Sequence, residues 1–207
     1  MASEFFDERA ATWDDDASHS LRSRAAAEAI KAAVPLSLST KLFEYGAGTA
    51  MVSQLLAADV SQIALAEPSA GMRAVIADKI AADVLPSDTR VWDLDLSTSA
   101  APDERFDLVV TVMTLHHIRD LQPVLQAFAS LLSEGGHLCI VDLESEDGSF
   151  HENDPDFHGH RGFSRSGLAA RLKRAGFSAP QFQQIHSIEK DGVAYPVFLA
   201  VAKRLPE

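Results

Sequence analysis

Short apolar runs alternate with longer amphipathic ones along this chain. The apolar runs are "TKLFEYG" (40–46), "SQIALAEP" (61–68), "TRVWDLD" (89–95), "FDLVVTVMT" (106–114) and "HLCIVDLE" (137–144). Each predicts a strand, and the nearly continuous apolar and β-branched character of 106–114 suits a strand buried on both faces. Between them the pattern is helical. A short helix is predicted over 4–13 and a longer one over 20–33, where "AAAEAIKAAV" favours helix and Pro35 stops it. Further helices follow at about 49–57, at 69–84 behind Pro68 and Ser69, and at 121–132 with Pro123 in the first turn. "SEGG" turns the chain into the fifth strand. Beyond a polar, turn-rich stretch (144–164) come a helix over 164–177 and two strands, 180–190 and 195–204, that read as a hairpin at a sheet edge.

Strands and helices in alternation define an α/β fold with a mainly parallel sheet, whose ligands sit beyond the carboxyl ends of the strands. Residues suited to binding are found at those ends: Glu44 to Gly48, Glu67, Asp93, and Met113 to His117. Gly46 and Gly48 permit a tight turn with close approach to the backbone, and amide groups at the start of the next helix favour a negative or carboxylate-bearing ligand. A dinucleotide fingerprint would carry a small residue three positions beyond the second glycine, where this chain has Met51. Instead Glu44 stands before the glycines, where a carboxylate can receive an ammonium group. Glu67, at the end of the second strand, can accept hydrogen bonds from two ribose hydroxyls. Together they describe a ligand that is both amino acid and nucleoside.

The motifs "LFEYGAGTA", "ALAEPSAGM", "VWDLDLS", "FDLVVTVMTLHHI" and "LLSEGGHLCIVDL" resemble, in order and spacing, those of class I S-adenosylmethionine-dependent methyltransferases, over roughly 41–143. The opening "FFDERAATWDDD" resembles the segment that folds over the cofactor in small-molecule members. The resemblance implies a Rossmann-like three-layer sandwich: a seven-stranded, mostly parallel sheet with a C-terminal antiparallel hairpin, in which one strand runs against the rest. It implies a single domain over 1–207, with a helical lid (1–35), a cofactor-binding core (36–145), and a substrate-side loop and hairpin (146–207). The implied cofactor is S-adenosyl-L-methionine, released as S-adenosyl-L-homocysteine. Glu44, Gly46, Ala47 and Gly48 would line its methionine portion, and Glu67 its ribose. Pro68, Ser69 and Met72 would flank the sugar and adenine. Asp93 would accept the adenine amino group, with Asp95 a rival for that role, and Leu94 would cover the ring. Met113 would touch the methionine part. The family's third glycine is replaced here by Thr49 or Ala50.

For methyl transfer the protein has chiefly to align the acceptor and exclude water. His116 and His117 stand where the acceptor is expected, and either is a candidate to take a proton. The polar stretch holds His151, His158 and His160 with Glu152, Asp154 and Asp156, but at none of the short spacings that mark a metal centre, so no metal is expected and the stretch reads as a gating loop. Phe5, Phe6 and Trp13 lie at helical spacing and suit both core packing and a lid.

Composition narrows the acceptor. The net charge of -12, from 30 acidic and 18 basic residues, disfavours nucleic acid. No "D/N-P-P-Y/F" signature of base and amide methylation follows the fourth strand; the chain has "VMTLHHI". The single cysteine, Cys139, sits in an apolar run as an inert thiol, and no run approaches the roughly 20 apolar residues of a membrane span. The expectation is a cytoplasmic enzyme, monomer or homodimer, acting on a small molecule away from membranes. A NAD(P)-dependent oxidoreductase and a non-catalytic S-adenosylmethionine-binding protein are the rival readings.

Overall fold

The computed structural model of the protein describes residues 2–152, 154 and 157–206. Seven strands, β1 (Lys41–Tyr45), β2 (Gln62–Ala66), β3 (Arg90–Trp92), β4 (Phe106–Val112), β5 (Leu132–Leu143), β6 (Gln181–Lys190) and β7 (Val193–Lys203), form one sheet in the order β3-β2-β1-β4-β5-β7-β6. The first five pair in parallel. β7 pairs antiparallel with both neighbours and is the one reversed strand. Among the described residues six α-helices accompany the sheet: α1 (Ala2–Arg9), α2 (Ala17–Ala33), α3 (Met51–Leu56), α4 (Ala70–Ala81), α5 (Leu121–Leu131) and α6 (Arg165–Arg174).

Alternation along β1 sorts the core into two layers. Leu42 packs on one face with Ile30 of α2, Leu56 of α3 and Ile76 of α4. Phe43 packs on the other with Phe106, with Phe128 of α5, and with Leu168 and Leu172 of α6. The resulting helix–sheet–helix sandwich is the predicted architecture. Among the described residues no helix is long and apolar enough to cross a membrane. Cys139 is buried in β5, and burial pushes its thiol up to about 12, as an inert core residue requires.

Several boundaries differ from those expected, and the largest shifts have local causes. The helix expected over 4–13 ends at Arg9 and tightens into a 3₁₀ segment, Ala10–Asp15. α2 then begins three residues earlier than expected, because the Asp16 carboxylate accepts a 2.8 Å bond from the Ser18 amide and caps it. "SEGG" does not precede β5 but lies within it. Phe106 pairs with Leu132 and Leu108 with His137, so 133–136 loop out of the ladder. The closing hairpin turns on Asp191 and Gly192, both at positive φ (53° and 78°), the geometry that an Asp-Gly pair adopts between twisted strands.

The strand order reverses between β1 and β4, and their carboxyl ends open the crevice where ligands of such sheets bind. Thr114, just past β4, donates from Oγ1 to the Gly46 carbonyl at 3.3 Å. A Cβ on Gly46 would overlap the Thr114 side chain, and Gly46 sits at φ 66°. Both space and backbone therefore demand glycine there.

Candidate active site

A cavity of about 590 Å³ opens at this switch point, within the ~300–1,000 Å³ usual for small-molecule sites. Glu44, Gly46, Ala47, Gly48, Glu67, Pro68, Ser69, Met72 and Met113 all line it, so most of the residues read from the sequence do converge. Asp93 and Leu94 do not. β3 ends at Trp92, which leaves Asp93 in solvent, paired with Arg73 at 3.1 Å, while Leu94 packs toward the core. Asp95 lines the cavity instead and accepts bonds from the Tyr45 hydroxyl (3.1 Å) and the Ser97 amide (2.8 Å).

Glu44 ends β1 almost fully buried. Its Oε2 accepts bonds from the amide (3.1 Å) and the hydroxyl of Ser53. Burial outweighs these bonds and lifts its carboxyl to about 7. Glu67 ends β2; its Oε2 accepts from the Gly48 amide and its Oε1 from the Ser69 amide, both at 2.8 Å. Burial raises its pKa as well. A carboxylate offers about four acceptor positions, so Glu67 retains capacity for ligand hydroxyls while held rigid.

The glycine turn departs from expectation in one respect. Its amide groups are already engaged: Gly46 and Ala47 donate to the Ala66 carbonyl, and Gly48 donates to Glu67. With the amides committed, the turn positions Glu67 and leaves open space, since a Cβ on Gly48 would meet nothing within 4 Å. Met113 is a second special position. It adopts φ 53° immediately after β4 and is pinned by its amide to the Val141 carbonyl at 2.8 Å. Non-glycine residues held in this region concentrate at ligand sites.

The N-terminal segment forms one wall of the cavity. Phe6 and Trp13 line it with ring centroids 5.7 Å apart, and Phe6 meets His117 edge-on at 5.6 Å. Phe5 points outward and is 43% exposed, so the aromatic stripe divides between solvent and site. Two carboxylates strap the segment down. Asp7 accepts bonds from the Ser69 hydroxyl (2.6 Å) and the Gly71 amide (2.8 Å), and these hold its pKa below the usual carboxylate range. Asp14 pairs with Lys79 at 2.6 Å and accepts from the Thr49 hydroxyl at 2.5 Å. Gly71 allows the approach, because a Cβ there would lie 2.8 Å from the Asp7 carbonyl oxygen. Sequence reasoning missed Asp7, Asp14 and Lys79. Asp7 and Asp14 lie in the opening stretch that resembles a cofactor-covering segment, but nothing local marks them or Lys79 as partners in a strap.

The histidine pair divides between two environments. His117 lines the cavity, and desolvation, with His116 and His151 close by, lowers its pKa to about 2. It is therefore a neutral hydrogen-bonding group and a weak base. His116 lies behind it, buried, with ring centroids 4.2 Å apart. Its Nδ1 donates to Asp142 Oδ1 at 2.6 Å, and its amide to Oδ2 at 3.3 Å. Asp142, fully buried at the end of β5, also accepts from the Leu143 amide at 2.8 Å. In the sequence it lies within the apolar run 137–144, with no sign of a partner. Of the loop residues, His151 reaches the pair, at 5.1 Å from His116 and 5.5 Å from His117 between centroids. His158 lines a separate cavity beside it, His160 packs on Phe163, and Asp156 lies outside the described residues.

Two buried carboxylates at adjacent strand ends and a strapped N-terminal segment thus border one cavity at the switch point of an α/β sheet. A family profile described as a methyltransferase domain matches residues 18–181, and the chain belongs to that family. The motif resemblance is borne out to that extent. An uncharacterized methyltransferase of Schizosaccharomyces pombe is 29% identical over 150 residues, 66% of this chain and 53% of its own length. The chain thus spans about half of that relative. An uncharacterized methyltransferase of Geobacillus kaustophilus is 25% identical over 158 residues, 69% of this chain and 71% of its own. Among solved structures, the DhpI–SAH complex superposes with a TM-score of 0.72 at 20% identity, over 99% of this chain and 96% of that one.

Proposed function

We propose that the protein transfers the methyl group of S-adenosylmethionine to a small molecule and releases S-adenosylhomocysteine. The observation that carries this reading is the pair of buried carboxylates, Glu44 and Glu67, at adjacent strand ends on one cavity. A nucleoside alone would need only Glu67; a dinucleotide would find Glu44 opposing its phosphates. DhpI supports the cofactor, since that protein has been solved with SAH and also as a DhpI–SAM–HEP complex.

In this reading Glu67 receives the ribose hydroxyls, Asp95 rather than Asp93 the adenine amino group, and Met72 an apolar face of the ring. Glu44 receives the ammonium group. When bound, the cofactor supplies a methyl group on a sulfonium, which an acceptor lone pair can take as the carbon–sulfur bond breaks toward sulfur. The chain's own part is alignment and exclusion of water. Residues 2–35 act as the lid through Asp7 and Asp14, Phe6 and Trp13 form its inner face, and His117 orients the acceptor. The lone buried thiol suits a reducing compartment, and a cytoplasmic enzyme is proposed on that ground.

Calorimetry with S-adenosylhomocysteine, NADH and NADPH tests the proposal. Glu44 is half protonated near pH 7 in the free protein, and a ligand ammonium group favours its charged form. S-adenosylhomocysteine affinity should therefore rise several-fold from pH 6 to pH 8, and Glu44→Gln should flatten the dependence. Binding of a nicotinamide cofactor with no binding of S-adenosylhomocysteine would overturn it.

A further inference from the structure

We propose that His116, His117 and His151 bind one divalent transition-metal cation of the zinc class at the wall of the cofactor cavity. One ring nitrogen from each lies within 4.8 Å of the others. Three imidazole nitrogens on a tetrahedral ion stand about 3.3 Å apart, from metal–nitrogen bonds of about 2.0–2.1 Å, so closing the set takes small side-chain rotations. The sequence hides this arrangement: His151 is far from the pair in the chain and belongs to none of the ligand spacings that identify a metal site.

The surroundings prepare the three rings as ligands. Asp142 Oδ1 accepts a hydrogen bond from the Nδ1–H of His116 at 2.6 Å, which leaves Nε2 as the ring nitrogen able to ligate; a carboxylate behind a ligating histidine is the usual support for a metal-bound imidazole. His117 sits against both partners, its ring centroid 4.2 Å from that of His116 and 5.5 Å from that of His151. The Nδ1 of His151 is buried and has no hydrogen-bond partner among the described residues. Such an atom is costly unless something fills its lone pair or takes its proton.

Contacts within the loop and with His116 hold His151 in place. Its ring stacks on Phe157 at 3.6 Å with 2° between planes. The loop docks where the His160 amide donates to the His116 carbonyl at 2.6 Å, and a Cβ on Gly159 would overlap that same carbonyl. The loop is thus fastened to the residue whose imidazole begins the cluster. A second cavity, lined by His151, Glu146, Glu152 and Asp154, reaches the cluster from the solvent side. Glu146 Oε1 in its wall is likewise buried without a hydrogen-bond partner among the described residues. Arg119 and Arg161 also line this cavity, and Lys190 lies near enough to lower the pKa of His151, so the approach carries both signs of charge.

Three protein ligands and an open fourth position form the pattern of a catalytic rather than a structural metal. His117 lines the cofactor cavity, so the fourth position would be filled from it by water or by an acceptor hydroxyl or thiol. Resting on the methyl-transfer reading, a metal there would lower the pKa of the bound acceptor, whose proton would pass to solvent.

The test uses untagged protein stripped with chelator and titrated with Co²⁺, then with Zn²⁺. The expected result is saturation at one equivalent with visible ligand-field absorption that Zn²⁺ abolishes. His151→Ala should bind Co²⁺ at least 100-fold more weakly, while His158→Ala binds as the wild type. No saturable step at one equivalent, or equal binding by His151→Ala and the wild type, would overturn the site. Binding of S-adenosylhomocysteine by the same samples separates the two proposals, since a protein that takes the nucleoside and no metal contradicts the metal site alone.

Discussion

A Glu67→Ala variant should bind S-adenosylhomocysteine about 1–3 kcal/mol more weakly than the wild type, a loss of roughly 5- to 150-fold in affinity. The carboxylate is mostly desolvated, so a hydroxyl donating to it gains a charge-assisted bond in a poorly hydrated setting. The two amides it releases, of Gly48 and Ser69, belong to residues lining the cavity, where water can replace it; the fold should survive. Glu67→Gln should fall between, because its amide oxygen can satisfy one of those donors while its NH₂ opposes the other. Calorimetry paired with a thermal melt checks this. An unchanged affinity in a folded Glu67→Ala protein would remove Glu67 from the nucleoside site.

Asp142→Ala is expected to cost stability rather than binding, by about 3 kcal/mol or more. Asp142 is fully buried and satisfies three donors at once: the His116 ring, the His116 amide and the Leu143 amide. It also offsets the positive charge of Arg22, whose pKa burial lowers. Alanine would strand the three donors, while Arg22 keeps Asp16 beside it. For a chain of this size each kcal/mol shifts Tm by about 2–4 °C, so a fall of about 6–12 °C should appear in a thermal scan. Asp142→Asn, which retains an acceptor, should lose less. A Tm within a degree of wild type for Asp142→Ala would show that the His116 anchor contributes nothing.

The parts of the site that the sequence disclosed are those in which neighbours in the chain are neighbours in space. Glu44 and Gly46 sit on one strand-to-turn junction, and Glu67, Ser69 and Met72 on the next; a strand end and the following helix start place them without help from elsewhere. The long apolar runs of β4 and β5 likewise fix their own layers. Asp93 and Asp95 were separable only by knowing where β3 stops. That short strand ends at Trp92, and two residues more are needed before the chain turns toward the cavity. The lid carboxylates escaped because Asp7 meets Ser69, and Asp14 meets Lys79, through contacts 62 and 65 residues apart in the chain, which no local pattern encodes. Asp142 escaped for another reason: in an apolar strand a lone carboxylate looks like a strand end until its partner is seen. The histidines of 151–160 share a loop but not a destination, and only the docking of that loop on His116 selects His151.

A crystal structure of the S-adenosylhomocysteine complex tests the central claim most directly. The account predicts the ribose hydroxyls within hydrogen-bond reach of Glu67, the adenine beside Met72 and Asp95, the ammonium group toward Glu44, and the sulfur facing the His117 side of the cavity. A nucleoside bound away from Glu67, or an aminoacyl group that leaves Glu44 without a partner, would contradict it.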